Sequence, residues 1–298
     1  MTLAPIEPAL KEAGTFMEDV LGELLPEPVG PHARVVEAMR YATLDGGKRI
    51  RAFLVLQAGR QFGVDRRALS RVAAAVECVH AYSLVHDDLP AMDDDDLRRG
   101  KPTTHKKFDE ATAILAGDAL LTHAFALLAA PETHPDPHVR IELVARLAVQ
   151  AGANGMVGGQ MIDIAAQGEF ITDIGHITRL QRLKTGALIA FACEAGAIMG
   201  KASPPLLRAL TNYAQDLGLA FQIVDDLLDI DGDPAVMGKA AGKDERAGKA
   251  TFVTVLGAER ARAQAELLAT QAARHLEVFD EKADLLRGLT AYVVDRRA

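Results

Sequence analysis

The sequence predicts an all-α protein, and three observations carry that reading. Apolar residues recur at three- and four-residue spacing along nearly the whole chain. Alanine and leucine, both strong helix formers, dominate, while aromatics make up 5% and Trp is absent. No segment alternates with a period of two between hairpin turns, so no sheet is expected.

The elements follow in order. VVEAMRYATL and IRAFLVLQAGRQF each carry an apolar stripe at helical spacing. RVAAAVECVHAYSLVHDDL, Arg71 to Leu89, is apolar on most faces and reads as a central buried helix. Further helices are expected near 107–130, 138–165, 174–200, 203–230, 247–275 and 280–296. The breaks PEPVGP (26–31), PETHPDP (131–137) and SPP (203–205) are short, and no internal repeat is found. One all-α domain over 1–298 is expected, because two distant acidic clusters make chemical sense only together.

Hydrophobic residues are 49% and charged residues 25%, ordinary for a globular protein. The formal net charge of -8 disfavours binding to nucleic acid or to an anionic membrane through bulk electrostatics. The two cysteines, Cys78 and Cys193, make neither a disulfide framework nor a zinc motif and read as buried reduced thiols of a cytoplasmic protein. The first residues show no basic stretch before an apolar core, so no signal peptide is expected. Charges interrupt the apolar runs, so no membrane span is expected either.

The chemistry concentrates in SLVHDDLPAMDDDDLRRGKPTTH, from Ser83 to His105. Pro90 disfavours helical geometry at Leu89, so the central helix should stop there and let Asp87 and Asp93 converge across a turn. Crowded carboxylates raise one another's pKa unless cations neutralise them. An all-oxygen donor set suits Mg²⁺ or Ca²⁺ rather than zinc. Calcium-loop spacing fails, since Met92 and Arg98 stand where Gly and Glu are required. A solvated acidic loop is the plain rival, weakened by the apolar helix before the cluster and the basic run after it.

A second cluster lies in FQIVDDLLDIDGDPAVMGKAAGKDERAGK, Phe221 to Lys249. Asp225 and Asp229 are four apart and share a helix face, whereas Asp226 points elsewhere. Gly232 and Pro234 should end that helix. Calcium-loop spacing fails again at Pro234 and Ala240, and the Gly232–Lys239 stretch fails as a phosphate loop. Mg²⁺ is usually held by few carboxylates together with substrate phosphates. Lys and Arg beside the metals then suit the remaining phosphate oxygens. The pair of clusters therefore points to a metal-bridged phosphorylated substrate between two acidic walls, with metal acting on a leaving group.

These motifs resemble those of the trans-isoprenyl diphosphate synthase family. Asp87–Asp93 is similar to its first aspartate-rich motif in the bacterial form, and Asp225-Asp226-Leu-Leu-Asp229 to its second. Gly46-Gly47-Lys48-Arg49-Ile50-Arg51, Gly159-Gln160-Met-Ile-Asp163, Lys184-Thr185-Gly186 and Phe221-Gln222 match in the family's order, over nearly the whole chain. Two departures stand out: Ala52, where proline is frequent, and Ala250-Thr251, where Ser-Thr is frequent.

The resemblance implies a helical bundle around a central cavity, usually in a homodimer. It implies Mg²⁺, with Mn²⁺ as a substitute, on Asp87, Asp93 and Asp225 with help from Asp88 and Asp229. Arg98, Lys184, Thr185, Gln222, Lys239 and Lys249 would hold an allylic diphosphate. Lys48, Arg51, His80 and Arg99 would hold isopentenyl diphosphate. Asp87, Asp88, Asp93, Arg98, Lys184, Asp225 and Lys239 would serve catalysis. Gln160 and Asp163 are weaker candidates, and a satisfied core histidine is the rival reading of His80. Gly152 and Gly155 are expected to allow close packing or a kink. Chain length should follow cavity depth below Asp87, with Ser83 leaving room and Tyr82 forming a floor, which favours the C15 product. C20 and C10 products remain alternatives. A class I terpene cyclase or a non-catalytic partner subunit is a weaker rival. Asp94, Asp95 and Asp96 are left without a role.

Overall fold

The structure, a computed structural model, describes residues 6–166, 173–231 and 251–296. It is helical almost throughout. The helices are α1 (Ile6–Leu24), α2 (Ala33–Thr43), α3 (Ile50–Arg60), α4 (Arg66–Asp87), α5 (Thr104–Lys107), α6 (Glu110–Ala129), α7 (Pro137–Ala151) and α8 (Met156–Ala166). They continue as α9 (Ile174–Gln181), α10 (Ala187–Met199), α11 (Pro204–Asp231), α12 (Phe252–Leu256), α13 (Ala258–His275) and α14 (Asp284–Asp295).

The central helix expected from Arg71 is α4. It begins earlier, because the Asp65 side chain accepts the Ala68 N–H at 3.0 Å and caps the first turn. α4 packs chiefly on α6 and α3, α10 packs on α3 and α11, and α11 packs on α13. One apolar cluster runs through these helices, with Phe53, Phe191, Tyr213 and Leu120 fully buried within it.

Several expectations need correction. α1 was not anticipated, although its Leu10, Ala13, Met17 and Leu21 bury one face at helical spacing. The helix expected over 138–165 is two helices, broken between Ala151 and Met156 where Gly152 and Gly155 stand. That over 247–275 breaks at Gly257 (φ 80°). Leu97–Arg98 and Lys101–Pro102 pair as an antiparallel hairpin, contrary to the expectation of no strand. Its turn residues Arg99 (φ 52°) and Gly100 (φ 75°) both have positive φ, the pattern of a type I′ turn. α4 and α6 are also long and apolar enough to cross a membrane by length and composition, contrary to the reading that charges interrupt every such run. Burial in the bundle accounts for the apolar character of α4.

α9 and α10 form one continuous rod joined by a π-helical turn, Arg182–Gly186. Such turns recur at functional sites. Here the turn carries Lys184, Thr185 and Gly186.

Candidate active site

A cleft of about 750 Å³ opens between the Asp45–Arg51 loop, α4, the 97–102 hairpin, the π-turn and α11. Eight of the predicted site residues line it: Lys48, Arg51, His80, Arg98, Arg99, Thr185, Gln222 and Asp225. Leu84, Ile189, Phe221 and Leu228 add apolar wall.

The cation-rich side starts at Gly46 and Gly47. A Cβ on Gly46 would lie 2.6 Å from Arg99 Nη1, and one on Gly47 would lie 2.7 Å from Arg99 Nη2. Gly47, at φ 79°, sits where glycine is favoured, and at Gly46 a side chain would push the end of Arg99 aside. Arg49 then enters α3 with φ 50° and turns inward. Its guanidinium donates to Glu77 at 3.0 Å and Glu18 at 2.9 Å, so it belongs to the interior. Lys48 stays on the rim with its ammonium 5.7 Å from the Tyr292 ring centroid. Arg51 reaches the cleft, and its Nε is buried without a hydrogen-bond partner among the described residues. Burial lowers its pKa, opposed by the charges of Glu77 and Asp225. His80 is held well below the ordinary histidine range by burial first, then by Arg51 and Arg99. Its surroundings are cationic.

On the acidic side α4 stops at Asp87. The following turn folds back so that Asp93 N donates to Asp87 O at 2.9 Å, which brings the two residues together as expected. Asp88 is buried and accepts from Arg98 Nε and Nη2 at 2.8 and 2.5 Å. Burial pushes the Asp88 carboxyl up, and the Arg98 bonds pull it back only in part. The adjacent arginines thus diverge, Arg98 to Asp88 and Arg99 to the glycine loop.

Across the cleft, Asp225 and Asp229 lie on α11 as predicted. Asp225 Oδ1 accepts from Arg296 Nη2 at 2.5 Å. Arg296 also stacks 3.9 Å from the Phe221 ring centroid. Nothing in the sequence pattern pointed to Arg296. Asp226 turns away from the cleft: it accepts from Gln222 Nε2 at 3.0 Å and from Phe252 N at 3.1 Å. Gln222 in turn accepts from Thr185 Oγ1 at 3.0 Å, so one chain of bonds ties the π-turn to α11 and to the start of α12.

Lys184 is paired with Asp163 at 2.5 Å, which gives the weaker candidate Asp163 a partner role. Gly159 allows this approach, since a Cβ there would lie 2.2 Å from Lys184 N. Gln160 makes no such contact with Lys184. Tyr82 is buried with its ring edge-on to His86, 5.7 Å between centroids, and burial pushes its hydroxyl up to about 12. Ser83 donates to His80 O at 2.9 Å, and neither Tyr82 nor Ser83 lines the cleft. Lys239 and Lys249, with Gly232 and Pro234, lie outside the described residues. Cys78 and Cys193 are buried, and burial raises both thiols, Cys78 to about 12.

Among the described residues no three carboxylate, imidazole or thiol side chains form a ready-made metal cage. The donors offered by the two aspartate clusters are nonetheless all carboxylate oxygens, which suits a hard cation shared with substrate phosphates.

Residues 32–287 match the polyprenyl synthetase family. The chain belongs to that family. It is 48% identical to the farnesyl diphosphate synthase of Escherichia coli (strain K12), over 88% of this chain and 89% of that one. The apo crystal structure of an FPP/GFPP synthase from Zymomonas mobilis superposes with a TM-score of 0.88 at 50% identity, over 97% of this chain and 98% of that one. A geranyltransferase from Helicobacter pylori, complexed with magnesium and isoprenyl diphosphate, superposes with a TM-score of 0.83 at 30% identity, over 99% and 98% of the two chains. The polyprenyl synthetase match spans both acidic clusters and the cation-rich loop.

Proposed function

We propose that this protein is a prenyltransferase, a farnesyl diphosphate synthase. It condenses isopentenyl diphosphate with dimethylallyl and then geranyl diphosphate. The observation that carries this reading is a single cleft that gathers Lys48, Arg51, Arg98 and Arg99 with Asp225, the buried Arg51 Nε having no hydrogen-bond partner among the described residues.

Asp87, Asp93 and Asp225 would hold Mg²⁺, with Mn²⁺ as a substitute, and Asp88 and Asp229 would support them. Bound there, the metal supplies Lewis-acid stabilisation of the leaving diphosphate. Arg98, Lys184, Thr185, Gln222, Lys239 and Lys249 bind the allylic diphosphate and stabilise its charge as the C1–O bond breaks. Lys48, Arg51, His80 and Arg99 bind isopentenyl diphosphate and aim its double bond at C1. His80 donates a ring N–H to that diphosphate. Leu84, Ile189, Phe221 and Leu228 exclude water from the allylic cation. After the new C–C bond forms, the proton lost from the adduct passes to the released diphosphate, which regenerates a double bond.

The chain reads as one domain over 1–298 and as a cytoplasmic protein. Ile114 and Leu115 of α6 and Ile141 and Val149 of α7 are exposed large apolar residues, which supports a homodimer. Chromatography of products from dimethylallyl and isopentenyl diphosphates with Mg²⁺ tests the activity. A C15 product is expected, a dominant C20 product overturns the product assignment, and failure to release diphosphate overturns the enzyme reading.

A further inference from the structure

The cation-rich loop is anchored from behind by two carboxylates that the reaction does not use. Glu77 sits in the middle of α4 and is buried. A charged side chain is almost never fully buried without partners. Its Oε2 accepts from Arg49 Nη1 at 3.0 Å and its Oε1 accepts from Ala52 N at 3.1 Å. Glu18 of α1 grips the same loop from the other side, accepting from Arg49 Nη2 at 2.9 Å and from Asp45 N at 2.5 Å. Arg49 closes the clamp by donating to Thr43 O at 2.5 Å.

The clamp brackets the two cations assigned to isopentenyl diphosphate. Lys48 precedes Arg49, and Arg51 lies between Arg49 and Ala52. Arg49 adopts φ 50°, a conformation that a non-glycine residue keeps only when its surroundings impose it. Glu77 also lies one helical turn before His80, so one stretch of α4 sets both the loop and the imidazole. Its charge works in the same direction, opposing the loss of the Arg51 proton on burial. Ala52, where proline is frequent in the family, supplies the N–H that Glu77 uses.

We propose that Glu77 and Glu18, acting through Arg49, are positioning residues specific to the isopentenyl-diphosphate half of the site. This rests on the assignment of Lys48 and Arg51 made above. With Glu77 neutralised, Arg49 keeps only Glu18 as a counter-ion, and more of its charge is left to repel Arg51 and Arg99 from their places.

Steady-state kinetics on Glu77→Gln and Glu18→Gln, with each substrate varied in turn, test the proposal. Glu77→Gln is expected to raise KM for isopentenyl diphosphate by about 10- to 100-fold, and Glu18→Gln by about 3- to 10-fold. KM for dimethylallyl diphosphate is expected to stay within about twofold, since its partners lie on the other wall. Glu77→Asp should restore part of the loss. Equal rises for both substrates, or no rise, overturn the proposal and leave the carboxylates a purely structural role. If Glu77→Gln does not fold, the half-exposed Glu18 decides alone. Lys48→Ala serves as the control for the underlying assignment: if wild type turns over but this variant shows no rise for isopentenyl diphosphate, that assignment fails instead.

Discussion

The two walls of the cleft carry opposite charge and are neutralised in opposite ways. On the cation wall the counter-ions are dedicated and internal: Glu77 and Glu18 hold Arg49, and Arg51 keeps a buried Nε without a hydrogen-bond partner among the described residues. On the acidic wall Asp88 is occupied by Arg98 and Asp225 by Arg296, both cations that border the cleft. Under the proposed function, the cation wall would take a diphosphate without first giving up these pairs. Under the proposed function, Asp88 and Asp225 would turn to metal and their arginines to phosphate. A breakable ion pair stabilises little, whereas a buried pair robbed of one member is strongly destabilised. Fixed pairs therefore suit the preformed half and exchangeable pairs suit the metal-loaded half.

The largest effects should come from the acidic wall. Asp87→Ala or Asp225→Ala is expected to lower kcat on the order of 1000-fold, measured by diphosphate release. A fall of only a few fold would show that these carboxylates are bystanders. On the opposite wall Arg51→Gln is expected to raise KM for isopentenyl diphosphate by about 100-fold with little change for the allylic substrate. Next comes the exchange itself. Arg296→Gln frees Asp225 from its ion pair, so Mn²⁺ should bind about three- to tenfold more tightly, read by electron paramagnetic resonance. Unchanged or weaker binding would break the exchange argument.

The smallest effect concerns His80. Its folded pKa is depressed, so the unfolded chain binds the extra proton, and stability falls as the pH drops below about 6.5. The Tm of the wild type should therefore decline between pH 7 and 5 more than that of His80→Gln. His123, also lowered by burial, keeps the variant's slope above zero.

Most helices were legible because a 3.6-residue apolar repeat survives in any amphipathic segment. The break between α7 and α8 was legible only as close packing or a kink at Gly152 and Gly155, because apolar spacing continues across them. The hairpin that aims Arg98 and Arg99 apart was hidden for a different reason. Two residues per strand show no alternation, and only the Arg99-Gly100 pair carries a turn signal. In the site, charge clustering and motif order exposed the acids and cations that line the cleft. They did not reveal which acid each cation holds, since Arg296 reaches Asp225 from the far end of the chain. Glu77 did leave a trace: it is the only acid within the apolar run from Val72 to Val85, and a charge in such a run requires a buried partner.

Calorimetric titration of the two substrates into metal-free protein tests the division between the walls most directly. Isopentenyl diphosphate should bind with an affinity that Mg²⁺ changes little, and dimethylallyl diphosphate should bind measurably only once Mg²⁺ is present. An equal dependence of both substrates on Mg²⁺ would contradict the account.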